Sequence, residues 1–293
     1  MGKFEDFYDK HYKKLIIISY SILLISIILI GINFLRTGEF FNRDISLNGW
    51  IAVSVYDEKI NINEVRELLK QNFKDFNVRE LTDFNTNENI GIIIEVADVT
   101  ESELRGILKT RFDINFNDKE KYDPGLTSSS FGESFYRGLL LALLFSFIFM
   151  SLVVFASFRT FIPSIAVISA ALTDILAALA VINLLGIKLS AAGIVAFLLV
   201  IGYSIDTDIL LTTKMLKRHD APLLERLKSS MKTGLTMTFA AIAALVTGYF
   251  IAIPQDLKQI FLIISIALVF DIISTYFGNA GILINYCKKK NIT

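Results

Sequence analysis

The stretch that decides the fold of this chain is Ser190-Ala-Ala-Gly-Ile-Val-Ala-Phe-Leu-Leu-Val-Ile-Gly-Tyr-Ser-Ile-Asp206-Thr-Asp208-Ile-Leu-Leu-Thr-Thr213. It is long and apolar enough to cross a bilayer, yet it contains two carboxylates. A charge at membrane depth costs roughly 3 kcal/mol or more, so it persists where it faces a helix bundle or a water-filled path. Gly202 lies one turn before Asp206 on the same face, and small residues let helices approach closely. We therefore expect Asp206 to point into a bundle, with Gly193, Gly202 and Ser204 at helix contacts.

The composition excludes several classes of protein. The chain is 53% hydrophobic with a mean hydropathy of +0.55, which is too apolar for an ordinary soluble domain. Its formal net charge is zero, which argues against a nucleic-acid-binding surface. The single cysteine, Cys287, excludes an internal disulfide, and the two histidines, His11 and His219, lie near predicted membrane ends. Because the sequence shows no nucleophile–base set or ligand cluster, we expect no metal site, no cofactor and no enzyme.

Apolar runs of membrane-spanning length recur along the chain. The first, 15–35, is longer than a signal-peptide core and lacks a cleavage site after it, so we expect a retained helix. Five more runs lie at 138–158, 161–185, 190–213, 233–253 and 260–286. The predicted division is an N-terminal segment 1–14, transmembrane helix 1 at 15–35, a polar domain at 36–133, transmembrane helices 2 to 6 within 134–286, and a C-terminal segment 287–293.

The polar domain has its own pattern of strands and helices. In chain order the patterns are a strand at 47–56, a helix at 61–73, strands at 77–82 and 89–97, a helix at 100–108 and a strand at 112–116. Asn61 or Asn63 is expected to cap the first helix, and Thr100-Glu-Ser-Glu103 is a capping-box pattern for the second. The order β-α-β-β-α-β is typical of a ferredoxin-like unit. Residues 123–132 read as a Pro/Gly/Ser linker.

Lysine and arginine are distributed unequally between the two sides of the predicted bundle. One side carries the N-terminal lysines, Arg159, the basic residues of a predicted hydrophilic loop at 214–232, and the lysines at 288–290. The short loops of the other side carry only Lys188 and Lys258. This asymmetry predicts that both termini are cytoplasmic. The fold predicted is therefore a multi-pass α-helical membrane protein of six transmembrane helices, with one extracytoplasmic α+β ferredoxin-like domain between helices 1 and 2.

Polar residues inside the predicted spans are candidates for moving protons or ions. They are Asp174 in the third span, Asp206 and Asp208 in the fourth, Asp271 in the sixth, and Lys232 at the cytoplasmic end of the fifth. The alternative is that they pair helices structurally, but carboxylates on three membrane helices together favour a functional role. Lys232 is the expected cation for Asp206. Asp208 is the weakest candidate, because near the helix end it can face the interface or pair with a loop lysine.

Several of these residues resemble a known family. Gly202-Tyr-Ser-Ile-Asp206 resembles the fourth-helix signature of SecF, a family of protein-export subunits. Ala171-Leu-Thr-Asp174 is similar to that family's Ala-rich third helix ending in His-Asp, with Thr173 where bacterial members have His. Lys232-Thr233 falls where bacterial members have Arg-Thr. The acidic residue of bacterial SecF would fall at Thr207, whereas Asp206 matches the corresponding position of SecD. This pattern resembles an archaeal-type SecF.

The resemblance implies a function and partners. SecF acts in the Sec machinery with SecD, within the resistance-nodulation-division (RND) superfamily. It implies a SecD-like partner, the SecY channel, a translocating polypeptide and contact with the lipid of the cell membrane, with the proton motive force as energy source. Nucleic acid is not an expected partner. The alternatives are a stand-alone RND-type transporter of small molecules or lipids, and a membrane scaffold without transport. The half-sized chain argues against the stand-alone transporter.

Overall fold

The computed structural model describes residues 3–44, 47, 50–57, 60–73, 76–82, 89–97, 99–112, 118, 121–125, 129–218 and 221–292. The chain forms two compact units. We call Met1–Asn42 with Leu140–Thr293 the membrane unit, and Arg43–Leu139 the α+β unit. In chain order the elements are α1 Lys3–Thr37, β1 Trp50–Val55, α2 Ile62–Asn72, β2 Phe76–Thr82, β3 Asn89–Ala97, α3 Glu101–Lys109, β4 Tyr122–Gly125, α4 Ser129–Phe158, α5 Phe161–Leu184, α6 Ala191–Lys217, α7 Leu223–Ile251, α8 Gln255–Ile273, a π-helical segment Ser274–Asn279, and α9 Ala280–Lys289.

Six helical segments of the described chain are long and apolar enough to cross a membrane, which confirms the predicted number. They are Glu5–Thr37, Tyr136–Phe158, Phe161–Leu184, Ala191–Lys217, Leu223–Ile251 and Gln255–Lys289, the last formed by α8, the π-helical segment and α9. The connections among the last five spans are short. Gly186, for example, takes a left-handed φ of +68° between α5 and α6, a conformation that glycine adopts without steric cost.

The hydrophilic loop predicted at 214–232 is mostly helical, so that prediction is wrong. Helix α6 continues to Lys217 and α7 begins at Leu223, which leaves a connection of only a few residues. The reason is an apolar stripe within the polar sequence: Leu224 and Leu227 are buried in a cluster with residues of α1, α6 and α9. Helix α1 begins at Lys3, well before the apolar run, and Tyr8 joins the same cluster.

The α+β unit is a four-stranded antiparallel sheet with the order β2-β3-β1-β4. Val53 of β1 and Val78 of β2 both pair with Ile94 of the central strand β3. Leu69 of α2 and Leu104 of α3 pack with these strand residues in one buried apolar core. The β-α-β-β-α-β order and the sheet order confirm the predicted ferredoxin-like fold.

The fourth strand lies later in the chain than predicted. It is β4, Tyr122–Gly125, which pairs with β1 at the edge of the sheet. Pro124 is tolerated there because an edge strand does not need every backbone N–H. The predicted linker at 123–132 is therefore wrong: its first residues are strand, and α4 begins at Ser129. In the predicted strand 112–116, Phe112 is not in a strand, and residues 113–116 lie outside the described residues.

The two predicted helix caps differ in outcome. The Asn61 side chain accepts a hydrogen bond from the Asn63 backbone N–H at 2.9 Å, as expected of a cap. Thr100 stands at the cap position of α3, but its side chain makes no capping hydrogen bond. Its hydroxyl lies instead 3.1 Å from that of Ser102, so the capping-box prediction is wrong in its bonding and correct only in where the helix starts.

Candidate functional site

Three carboxylates lie at the centre of the membrane unit. Asp174 of α5 and Asp208 of α6 are 0% exposed, and Asp271 of α8 is 1% exposed. Three different membrane helices therefore direct an acidic group into one interior. Asp271 is close enough to both of the others for electrostatic repulsion. We call these three residues the carboxylate cluster.

Asp174 is fully hydrogen-bonded by serines of two other helical segments. The Ser204 hydroxyl of α6 donates to Oδ2 at 2.5 Å, and the Ser274 hydroxyl of the π-helical segment donates to Oδ1 at 2.5 Å. Hydrogen bonds to a carboxylate are the strong kind, and here both join neighbouring helices. Asp174 therefore links α5 to α6 and to the sixth span.

Asp271 and Asp208 share a hydrogen-bonding residue. The Thr275 hydroxyl lies 3.2 Å from Asp271 Oδ1 and 2.9 Å from Asp208 Oδ1. The Thr207 hydroxyl lies 3.1 Å from each oxygen of Asp271, and the Asn279 side-chain amide donates to Asp208 Oδ1 at 2.7 Å. A single hydroxyl thus stands between two carboxylates, so a proton moving through it would pass from one to the other.

The π-helical segment is what brings the donors into place. Asp271, Thr275 and Asn279 are spaced four residues apart. Asp271 is hydrogen-bonded to Thr207 of α6, and Thr275 and Asn279 are both hydrogen-bonded to Asp208 of the same helix. In an uninterrupted α-helix, residues spaced by four drift around the axis, whereas the wider π turn opposes that drift. Short π segments inside α-helices are frequent at functional sites, so its position beside the cluster fits a functional interior.

The carboxylate cluster has no lysine or arginine partner among the residues that the structure describes. In the described part of the chain, every hydrogen bond to these three carboxylates comes from a hydroxyl or an amide, and none from lysine or arginine. Three ionised carboxylates so close together in a bundle interior are strongly unfavourable. The cluster therefore has to carry protons or hold a cation.

Asp206 does not point into the bundle, contrary to our expectation. Both Asp206 and Gly202 are exposed, and among the described residues no atom beyond the adjacent residues and backbone of α6 lies within 4 Å of a Cβ built on Gly202. Asp208 occupies the inward position instead. The reason is geometric: two residues along an α-helix are about 200° apart around its axis, so the two carboxylates face nearly opposite directions. Whether either residue couples ions to transport stays a prediction.

Lys232 lies on α7, and its side chain is exposed. Among the described residues, no hydrogen bond or ion pair joins it to Asp206. It lines an open pocket with Glu5, Glu225, Lys228 and other residues near the start of α7. The expected contact between Asp206 and Lys232 is therefore absent from this part of the chain. The cause is again rotation about α6, because Asp206 lies on an exposed face of that helix.

The two remaining helix-contact candidates are both buried. Ser204 makes the hydrogen bond to Asp174, and a Cβ on Gly193 would lie 2.6 Å from Gln259 Oε1 of α8. Sequence reasoning missed Ser274, Thr275 and Asn279. A usable signal was present, because the polar positions 271, 275 and 279 recur at a helical spacing in an otherwise apolar span.

Comparison with known proteins identifies the family. The family model "Protein export membrane protein SecD/SecF, C-terminal" matches residues 107–289. The protein-export membrane protein SecF of Methanocaldococcus jannaschii is 35% identical over 283 residues, which cover 94% of this chain and 96% of that protein. The chain belongs to the SecF family of protein-export membrane proteins. The SecF of Methanothermobacter thermautotrophicus is 34% identical over 282 residues, covering 94% of this chain and 92% of the relative.

A solved structure shows the same fold. The crystal structure of SecDF, a translocon-associated membrane protein from Thermus thermophilus, aligns with a TM-score of 0.64 at 16% identity. The alignment covers 95% of this chain but 38% of the SecDF chain, so this SecF-family chain spans less than half of that longer protein. With six spanning helices and this family membership, the protein is a multi-pass membrane protein acting in protein export.

Proposed function

We propose that the chain works as one half of a two-part membrane complex, paired with a SecD-like partner at a SecY channel. The observation that carries this proposal is a carboxylate on the outside of α6. Val195, Leu199, Gly202, Tyr203 and Asp206 are exposed, and they form one continuous stripe at helical spacing. We call these five residues the α6 stripe.

The α6 stripe does not suit a lipid environment. Asp206 lies seven residues before Thr213, the end of the apolar span within α6, which at a rise of 1.5 Å per residue is about 10 Å inside that end. A carboxylate at that depth costs several kcal/mol against hydrocarbon and is normally turned toward protein or water. Gly202, one turn earlier, leaves room for the close approach of another helix. Both features are explained if a helix of a second membrane protein packs against Gly202 and offers a cation or hydrogen-bond donors to Asp206.

The partner proposed for this stripe is a SecD-like subunit. The SecDF chain of the structural neighbour is longer than this one. The alignment covers 38% of it, so the remaining 62% has no counterpart in this chain. A separate subunit that supplies the equivalent of that remainder would complete the assembly here. The α+β unit is then extracytoplasmic and contacts the moving polypeptide, both termini are cytoplasmic, and the complex lies in the lipid of the cell membrane. The carboxylate cluster and Asp206 couple the movement of protons or ions to export.

Cross-linking tests the docking surface. In a Cys287→Ser background, Tyr203→Cys on the α6 stripe is expected to cross-link to the co-expressed SecD-like subunit in native membranes with a short bifunctional thiol reagent. Phe149→Cys, at an exposed apolar position of α4, is the matched control and is expected to give little cross-link. Equal cross-linking at both positions, or none at position 203, would contradict the assignment of the stripe.

An export assay tests the coupling role of Asp206. Asp206→Asn keeps the shape and removes the charge, so the complex is expected to assemble while the gradient-dependent part of export is lost. The measurement is export of a reporter protein into membrane vesicles with and without an imposed proton gradient. Equal gradient stimulation in the wild type and in Asp206→Asn would reject this role and leave the carboxylate cluster as the remaining coupling site.

A further inference from the structure

An open pocket lies between α1 and α7, at the end of the membrane unit where the two ends of the chain meet. Lys288 of α9 pairs with Asp9 of α1 at 2.5 Å, and the Tyr8 hydroxyl of α1 donates to the Met231 sulfur of α7 at 3.8 Å. The pocket has a volume of about 680 Å³. It is lined by Glu5 of α1 and by Glu225, Lys228, Ser229, Lys232, Thr233, Thr236 and Met237 of α7. We call it the α1–α7 pocket.

Two lysines of this pocket lack a counter-charge. Among the described residues, the ammonium groups of Lys228 and Lys232 form no hydrogen bond or ion pair. They are four residues apart on one helix, so they lie on the same face and repel each other. A third ammonium group is nearby, because Lys214 Nζ of α6 donates to Ser229 Oγ and to Thr233 Oγ1, each at 3.3 Å. Three positive charges around two turns of α7 attract an anion.

The depth of the pocket indicates which kind of anion it receives. The apolar run of the fifth span begins at Thr233, directly after Lys232, so the two lysines lie where α7 leaves the hydrocarbon. Met237, which is 49% exposed, lines the opposite end of the pocket, about 8 Å further along the helix axis. A lipid phosphate at the level of the lysines continues into acyl chains that cover the apolar end. A free phosphate ion makes no use of that end.

The outer end of the pocket carries negative charge. Glu225 precedes Lys228 by about one helical turn, and Glu5 of α1 lines the same pocket. Along the pocket, the order of side chains is therefore carboxylate, ammonium and apolar. A phospholipid whose headgroup has an amine beyond its phosphate presents the complementary order of amine, phosphate and acyl chain. A headgroup that ends in hydroxyls places no positive charge beside the carboxylates.

We propose that the α1–α7 pocket binds an amine-bearing phospholipid such as phosphatidylethanolamine, with its phosphate at Lys228 and Lys232 and its amine at Glu225. A single lysine at a helix end reaches water without a ligand, but basic pockets between membrane helices bind lipid headgroups. The bound lipid joins the N-terminal part of α1 to α7. The inference goes beyond the proposed function and does not rest on it, because it requires only that the chain lies in a membrane.

Native mass spectrometry of the purified full-length chain in detergent tests the inference. The wild type is expected to retain phosphatidylethanolamine saturably, and more tightly than phosphatidylglycerol. Lys232→Gln keeps most of the side chain and removes its charge, so it is expected to weaken binding of phosphatidylethanolamine about tenfold. Glu225→Gln is expected to reduce the preference for phosphatidylethanolamine. Lys289→Gln, at an exposed lysine of α9 that does not line the pocket, is the matched control and is expected to bind like the wild type.

Three results would overturn the proposal. The first is a wild-type chain that retains no phosphatidylethanolamine saturably, or that binds phosphatidylglycerol more tightly. The second is wild-type affinity in folded Lys232→Gln and Lys228→Gln variants. The third is displacement of the lipid by millimolar inorganic phosphate, which would make the pocket a site for a free anion. All of these measurements use the chain without a partner, so they are independent of the cross-linking and export experiments.

Discussion

The two units of this chain bury opposite kinds of side chain. In the α+β unit the innermost residues are apolar, such as Ile94 at 0% exposure, and Arg79, which forms an ion pair with Glu95, is exposed. In the membrane unit Asp174, at 0% exposure, is inside, and large apolar residues such as Phe149 are outside. The difference follows from the solvent. Water solvates charged groups at the surface of the α+β unit. Hydrocarbon does not solvate them at the surface of the membrane unit, so charged groups there are more favourable in the interior.

The same mutation therefore has different physical consequences in the two units. Truncating a core residue of the α+β unit leaves a cavity and loses the free energy of apolar burial. Removing a core carboxylate of the membrane unit leaves hydroxyl donors without acceptors in a medium that offers no water. The predictions that follow test this contrast from the largest expected effect to the smallest.

The largest effect is expected from deleting β4. A fragment of residues 43–128 is expected to fold as a soluble α+β unit, whereas 43–118 is expected to be unfolded. The shorter fragment loses the edge strand that pairs with β1, and it loses Tyr122, whose side chain is part of the apolar core. Circular dichroism and urea unfolding of both fragments measure this. A cooperative transition in 43–118 would show that β4 is dispensable and that the core of this unit ends with α3.

A smaller effect is expected from replacing a carboxylate inside the membrane unit. Asp174→Leu leaves the hydroxyls of Ser204 and Ser274 without their acceptor, at a cost of about 1–3 kcal/mol, because each serine hydroxyl can still find a helix carbonyl. Asp174→Asn retains an acceptor and is expected to cost less. Unfolding of the purified chain in mixed micelles by increasing SDS measures both.

Asp206→Leu is the matched control for that comparison. Its carboxylate is exposed in this chain, so the isolated protein is expected to unfold at the same SDS concentration as the wild type. If Asp206→Leu destabilised the isolated chain as much as Asp174→Leu, the distinction between an inward and an outward carboxylate would be wrong. The distinction is sharpened if Asp206→Leu instead reduces association with the SecD-like subunit.

Sequence patterns predicted the architecture well where the signal was local. Span length gave the six transmembrane helices, and an isoleucine-rich run after a turn-like segment gave β3 at the residues where it is found. Strand β4 was missed because Tyr-Asp-Pro-Gly is rich in turn-forming residues, and its stability comes from pairing with β1, far away in the chain. The helical start of α7 was missed because its polar residues obscured the apolar stripe of Leu224 and Leu227.

The candidate site was only partly predictable. The sequence marked all three members of the carboxylate cluster, because acidic residues in apolar spans are conspicuous. It favoured Asp206 over Asp208 as the inward carboxylate, and that prediction is wrong. Both lie in one apolar helix with small residues on more than one face, and the facing direction depends on how α5 and α8 pack against it. The rotation set by the π-helical segment has no simple sequence signal either.

The smallest effect is expected from a polar group at the edge of the apolar core. The Tyr122 ring lies in the core of the α+β unit, Arg105 stacks on it at 4.7 Å from the ring centroid, and Arg105 Nε donates to the Tyr122 hydroxyl at 3.3 Å. Tyr122→Phe keeps the ring and the stacked guanidinium and loses the hydroxyl. The free energy of unfolding of fragment 43–128 is expected to fall by about 1 kcal/mol at pH 7.

The pH dependence of this variant tells which force dominates at Tyr122. Burial raises the pKa of Tyr122 above its ordinary value near 10, and the hydrogen bond from Arg105 acts in the opposite direction. A phenol whose pKa is raised on folding stabilises the folded state fully below about pH 10 and loses that contribution as pH rises through the folded pKa, because the unfolded chain releases the proton first. The wild type is therefore expected to lose stability above about pH 10 more steeply than Tyr122→Phe, so the difference between their free energies of unfolding shrinks in alkali.

Urea unfolding at pH 7 and at about pH 10.5 measures this difference, with Tyr56→Phe at an exposed position as control. If the difference grew with pH, the ionised tyrosine would be stabilised by Arg105, and a charge would be accepted in the core of the unit that otherwise keeps charges outside.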